Sequence, residues 1–199
     1  LARTKLADAA LAKQCHRRAL ELRPEETRAL EALEALHEEA GEHEYLVDVL
    51  KRRAEIAAET SPEQQRAILY KQAKICDVAL ADRDRAIAVY EQILELGLDA
   101  PAVEALERLY AASSRWGDLV ALHERELGVD ETTPERRATL YHALGRVFEK
   151  QLGEPERAFE AWTEALRVDP THEATVQSLE QNVAQRATGD RLHAARAAS

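Results

Sequence analysis

Methionine is missing from all 199 residues of this chain, and cysteine, proline and glycine are scarce, at two, six and seven. The two cysteines, Cys15 and Cys76, both fall in amphipathic segments, so buried reduced thiols are expected in preference to a disulfide. That pairing fits a reducing compartment, and a cytoplasmic location is the expectation it leads to. Runs rich in Val, Ile and Thr are also missing, which leaves little to build a sheet from. No long apolar run occurs and the mean hydropathy is -0.46, so no transmembrane span is expected. Positive charge is in deficit: 27 Lys and Arg stand against 37 Asp and Glu, for a net charge of -10 and a pI near 5.3. A chain of that balance lacks the clustered cations that displace counterions from a nucleic-acid backbone, so nucleic acid is not an expected partner. Because the chain opens at Leu1 with neither methionine nor a signal-like apolar stretch, a fragment of a longer polypeptide, or a processed chain, is expected.

What the chain does have is alanine, leucine, glutamate and arginine, with 45% hydrophobic and 32% charged residues. That composition favours helices throughout and carries enough apolar surface for a substantial core. The most informative stretch runs from Arg137 to Pro170. It contains Leu144-Gly145, Phe148, Gly153, Ala158, Trp162, Ala165-Leu166 and Asp169-Pro170. Large and small apolar residues at these spacings predict two helices folded back on one another. Gly145 and Ala158 allow the close approach, and Pro170 ends the second helix.

The same pattern extends in both directions. Ala12, His16, Ala19-Leu20 and Pro24 match Ala158, Trp162, Ala165-Leu166 and Pro170, so the chain begins partway through such a unit. A first helix over Thr27 to Ala40, a turn at Gly41 and a second helix over Tyr45 to Ala58 make the next hairpin. Ser61-Pro62-Glu63 supplies an N-cap serine and a proline at the first helical position, opening a hairpin that turns at Asp82 to Asp84. After Gly97 the sequence repeats itself. Val103, Leu106, Leu109 and Tyr110 follow Leu30, Leu33, Leu36 and His37 by 73 positions (103 − 30), and Thr133-Pro134-Glu135 follows Ser61-Pro62-Glu63 by 72 (133 − 61). The period is therefore a pair of hairpins. The expected organisation is the end of a truncated hairpin over 1–24, double-hairpin units over 25–97 and 98–170, and a further or capping hairpin from 171 to 199, with a turn at Gly189-Asp190.

The residues of Arg137 to Pro170 resemble a tetratricopeptide repeat, the family of helix-turn-helix units about 34 residues long. The other hairpins depart from its pattern, placing Glu34, Lys74 and Glu107 where Gly145 stands and Leu46 and Leu119 where Ala158 stands. The resemblance implies an all-α, right-handed α-solenoid of tetratricopeptide-like hairpins. It also implies a non-catalytic scaffold or adaptor whose partner is another protein or a peptide. A regulatory or sensor module attached to a catalytic domain, such as a signalling kinase, is the alternative.

Motifs that carry chemistry are not found. His37-Glu38, His123-Glu124 and His172-Glu173 open like a helical zinc-protease motif, but Gly41, Leu127 and Val176 occupy the position of the second histidine. Neither a nucleophile elbow nor a phosphate-cradling glycine loop occurs, so no catalytic residue, metal or cofactor is expected. The aromatic residues fall mainly on apolar stripes and are expected in the core. In the family resembled, the first helices line a groove that holds the ligand. Carried onto this sequence, the groove positions are Glu31, Ala35 and Glu38, then Lys71, Ile75 and Val78, then Glu104 and Arg108, then His142, Arg146 and Lys150, then Gln177 and Gln181. That order passes from acidic to basic, and a peptide of opposite polarity would match it.

Overall fold

In the computed structural model of the chain, residues 2–130 and 132–184 are described, with side chains from residue 8 onward. The expected turn at Gly189-Asp190 and the rest of the last hairpin lie outside these residues. The described backbone is helical, with no strand. In order, the helices are α1 (Ala2–Leu22), α2 (Thr27–Ala40), α3 (His43–Ala58), α4 (Pro62–Lys74), α5 (Arg83–Glu95), α6 (Ala100–Ala112), α7 (Trp116–Leu127), α8 (Pro134–Val147) and α9 (Pro155–Val168), followed by α10 at 173–184. This is an all-α helical-repeat architecture. The chain forms two compact units, Leu1–Leu109 and Tyr110–Ser199.

Helix starts follow the capping residues visible in the sequence. Ser61 Oγ accepts from the amide of Gln64, and Thr133 Oγ1 from that of Arg136, each followed by a proline that needs no amide partner. Asp82 caps α5 through the amide of Arg85 at 3.0 Å, and Asp99 caps α6 through that of Ala102 at 3.2 Å.

The hairpin turns show the two-hairpin period in their backbone. The amides of Glu42 and Arg115 return to the carbonyls of His37 and Tyr110, five residues back, at 2.9 Å in both cases. In the alternate hairpins α4 and α8 each end in one wider, π-helical turn, Ile75–Ala79 and Phe148–Leu152. There the amides of Asp82 and Glu154 reach back six residues, to Cys76 at 2.9 Å and Phe148 at 2.8 Å. All four turns pass through a left-handed residue at the same place: Gly41 (φ 67°), Ala81 (52°), Ser114 (54°) and Gly153 (68°). Two of the four thus carry a side chain where the backbone favours glycine.

In the first unit, Leu30, Leu33 and His37 of α2 are buried with Leu46, Val49, Leu50 and Ala54 of α3. Leu69 and Ala73 of α4 are buried with Ile87, Tyr90 and Ile93 of α5, and these helices pack pairwise along the chain. In the second unit, α8 and α9 form the tightest hairpin. Gly145 lies under the indole of Trp162, which is 1% exposed and donates from Nε1 to the carbonyl of His142 at 3.2 Å. Ala158, with no exposed surface, brings the two helices together. The matching position in α4 is Ala73, not Lys74, because Cys76 and Phe148 are equivalent at the turn. Lys74 stays exposed.

Two expectations about burial are corrected. Cys76 is buried, and burial pushes its thiol pKa up, but Cys15 is exposed, on the solvent side of α1. Among the aromatic residues, Tyr90, Tyr110, Phe148 and Trp162 are core, whereas Phe159 is 40% exposed.

Candidate functional site

In the first unit the candidate positions on α2 and α4 are tied together by ion pairs. Lys71 Nζ donates to Glu34 Oε1 at 2.8 Å and to Glu38 Oε2 at 2.7 Å. Arg53, from α3, bonds Glu34 and reaches Glu31 Oε1 at 3.1 Å. Glu34 is the centre of this network. Burial alone would push its carboxyl pKa up, but hydrogen bonds from Lys71 and Arg53 outweigh burial and hold it below the usual carboxylate range. Burial likewise works to lower Lys71, and the two carboxylates more than reverse it. The effect is to lock α2, α3 and α4 in register, with both cations already committed.

The remaining positions of this unit differ in character. Ala35, Val78 and Glu104 are exposed and Ile75 is half-buried, while Arg108 is paired with Asp77. The residue that reaches forward from α4 is Tyr70, whose hydroxyl donates to Asp99 at the start of α6. Arg66 joins it, donating to the carbonyl of Leu96 at 3.1 Å. Burial and then the Asp99 carboxylate push the Tyr70 pKa well up. Glu34, Arg53, Tyr70 and Asp99 were not among the sequence candidates. Asp99 had a signal, since an aspartate two residues before Pro101 is an N-cap pattern; Glu34 and Arg53 had none.

In the second unit the corresponding helix is α8. His142 is half-buried, and its Nδ1 lies 3.1 Å from Thr175 Oγ1 on α10. Glu149, two turns on, accepts from Asn182 Nδ2 at 3.1 Å, so His142 and Glu149 mark the edge of α8 that faces α10. Arg146 and Lys150 stand one turn apart beside that edge. Both are exposed, and among the described residues neither takes part in an ion pair. Gln177 and Gln181 are exposed, about 200° and about 100° around α10 from Thr175 and Asn182 respectively, the residues that bond α8. The structure therefore brings His142, Arg146 and Lys150 into one row and leaves the glutamines apart from it.

The cations of the two units thus stand in different states. Lys71, Arg53 and Arg108 of the first unit are each paired with carboxylates, while Arg146 and Lys150 of the second have no such pair among the described residues. A paired cation has already given up its attraction for a ligand, and an unpaired exposed one has not. Among the described residues no helix is long and apolar enough to cross a membrane.

The class defined by these features is an all-α protein of stacked helical hairpins with polar first-helix faces. Two family profiles, each described as tetratricopeptide repeat, match consecutive segments, residues 102–137 and 138–172. Residues 102–172 are thus tetratricopeptide-like repeats, set in a chain whose described residues form a helical-repeat fold. Solved structures similar to it include YrrB, a TPR protein with an unusual peptide-binding site (TM-score 0.43, 15% identity, covering 89% of this chain and 86% of that one). MamA protein is similar at a TM-score of 0.44 and 18% identity, over 84% of this chain and 86% of that one. TTC0263, a thermophilic TPR protein in Thermus thermophilus, is similar at a TM-score of 0.41 and 18% identity, over 90% and 93%. No curated protein matches the sequence.

Proposed function

We propose that this chain is a non-catalytic scaffold or adaptor segment that holds a protein or peptide partner on the first-helix faces of its repeats. In the second unit, Arg146 and Lys150 grip an acidic segment of that partner. The observation that carries this reading is the pair of exposed cations without ion pairs among the described residues, one helical turn apart on a chain of net charge -10. Tetratricopeptide repeats serve in general as protein-interaction scaffolds, which supports the broader part of the proposal. The locked network around Glu34 supports it from the other side: a face held rigid by ion pairs loses little freedom when a partner arrives.

The test is affinity capture from the source cell extract with the parent chain and with the Arg146→Glu/Lys150→Glu variant as baits, both checked for equal helical content by circular dichroism. A partner retained by the parent and lost by the variant supports the reading, and its capture weakens as salt is raised. If the same partners remain on the variant, α8 is not the binding face.

A further inference from the structure

This inference rests on the reading of Arg146 and Lys150 as the anion-holding pair. His142 precedes Arg146 by one turn of α8, so its imidazole stands beside the first guanidinium. Its Nδ1 shares the Thr175 hydroxyl with a second imidazole: Thr175 Oγ1 is 3.1 Å from His142 Nδ1 and 2.7 Å from His172 Nδ1. Thr175 has no exposed surface. A hydroxyl has one proton to give and lone pairs with which to accept. When both rings are neutral it donates to one Nδ1 and accepts from the other, so the rings hold opposite tautomers.

A proton added at Nε2 of the ring whose Nδ1 already carries hydrogen breaks neither bond. A second proton, at the other Nδ1, would turn the shared oxygen into an acceptor from two N–H groups. It would also set two imidazolium rings with centroids 5.4 Å apart. The arrangement accommodates one proton and resists two. The groups that act on His142 are burial first, then His172, Arg146 and Lys150, and together they hold its pKa below the ordinary histidine value. From α9, Trp162 contributes its neutral N–H to the His142 carbonyl, and Asp169 at the helix end places a carboxylate, bonded to Thr171, within electrostatic reach of His172; Glu149 further along α8 is bonded to Asn182. An anion laid over Arg146 and Lys150 would cancel their share of the repulsion that holds the His142 pKa down.

We propose that the His142–Thr175–His172 cluster takes up one proton when an acidic segment binds along Arg146 and Lys150. The site then holds acidic ligands more tightly as pH falls from about 8 to about 5.5.

The probe is a hexa-aspartate peptide carrying a rhodamine label that does not titrate over this range, and its own carboxylates stay largely ionised. Its affinity for the full chain is measured across that pH window at low salt, and proton uptake is measured by calorimetry in buffers of different ionisation enthalpy. The expected result for the parent is about three- to tenfold tighter binding at the acid end, with uptake of up to about one proton per peptide. An NMR titration of the parent should show the His142 ring signal moving to a higher midpoint when peptide is present. His142→Gln, and independently His172→Gln, should flatten the pH profile and reduce the uptake.

Binding through Arg146 and Lys150 that is independent of pH and takes up no proton overturns this inference while leaving the binding site standing. Binding that persists in Arg146→Ala/Lys150→Ala, or no binding by the parent at any pH, overturns the site and the inference together.

Discussion

Gly145→Ala is the sharpest perturbation the structure offers, because two effects of opposite sign meet in one methyl group. Gly145 is helical, so alanine alone should stabilise α8 by about 1 kcal/mol. The methyl, however, would lie 2.7 Å from Cε2 of Trp162 and closer still to Nε1, well inside van der Waals contact. The indole has little room to yield. It is 1% exposed and held by its bond to the His142 carbonyl at 3.2 Å, so displacing it adds the loss of that hydrogen bond, about 1 kcal/mol. Overpacking of this kind costs about 1–3 kcal/mol. The expected net effect is a destabilisation of about 1–3 kcal/mol, read as a lower urea midpoint by circular dichroism. A double-mutant cycle isolates the cause. In a Trp162→Ala background all the ring atoms that meet the methyl are gone, and Gly145→Ala should become neutral or stabilising by up to about 1 kcal/mol. The interaction energy should therefore be about 2 kcal/mol or more. If the two substitutions add to within about 0.5 kcal/mol, the clash is not what glycine avoids at this position and the reasoning fails.

Two further predictions concern the turns and the acid side of stability. Ala81→Gly and Ser114→Gly should each stabilise the fold by about 0.5–1 kcal/mol and so raise the urea midpoint, because both residues are exposed and hold a left-handed conformation that a side chain disfavours. Gly153→Ala, with no atom near enough to meet its new methyl, should lower it by a comparable amount, and equal midpoints for all three would refute the backbone argument. His123 is pushed down to about 4 from 6.5, first by burial, with Glu126 working against the shift and Arg136 with it. Its folded pKa lies below its unfolded one, so the stability it carries is full above pH 6.5 and is lost as pH falls towards 4, by about 3 kcal/mol. His123→Gln should show a shallower loss across that window in urea titrations at stepped pH, and parallel curves for parent and variant would count against a neutral buried imidazole.

The helices and their repeat were legible in the sequence because they depend on local terms that act wherever the residues occur. Ser61-Pro62 and Thr133-Pro134 start helices whatever packs beside them, and apolar residues at helical spacing choose the buried stripe. The small–large match of Gly145 and Ala158 with Trp162 was legible for the same reason.

Side-chain pairing depends on which helices become neighbours, and that only the tertiary structure decided. Lys71 and Arg146 look alike as cations on first helices. One is consumed by Glu34 and Glu38, which come from a different helix, and the other has no ion pair among the described residues. The π-helical turns ending α4 and α8 set the register at which Ala73, and not Lys74, takes the place of Gly145. Thr175 stands 33 residues from His142, and nothing in the spacing announces that one buried hydroxyl joins His142 to His172. Propensity, capping and periodicity act over a few residues, so they determine the repeat unit. The charge state of a face depends on contacts across the fold, so it was settled only when the helices packed.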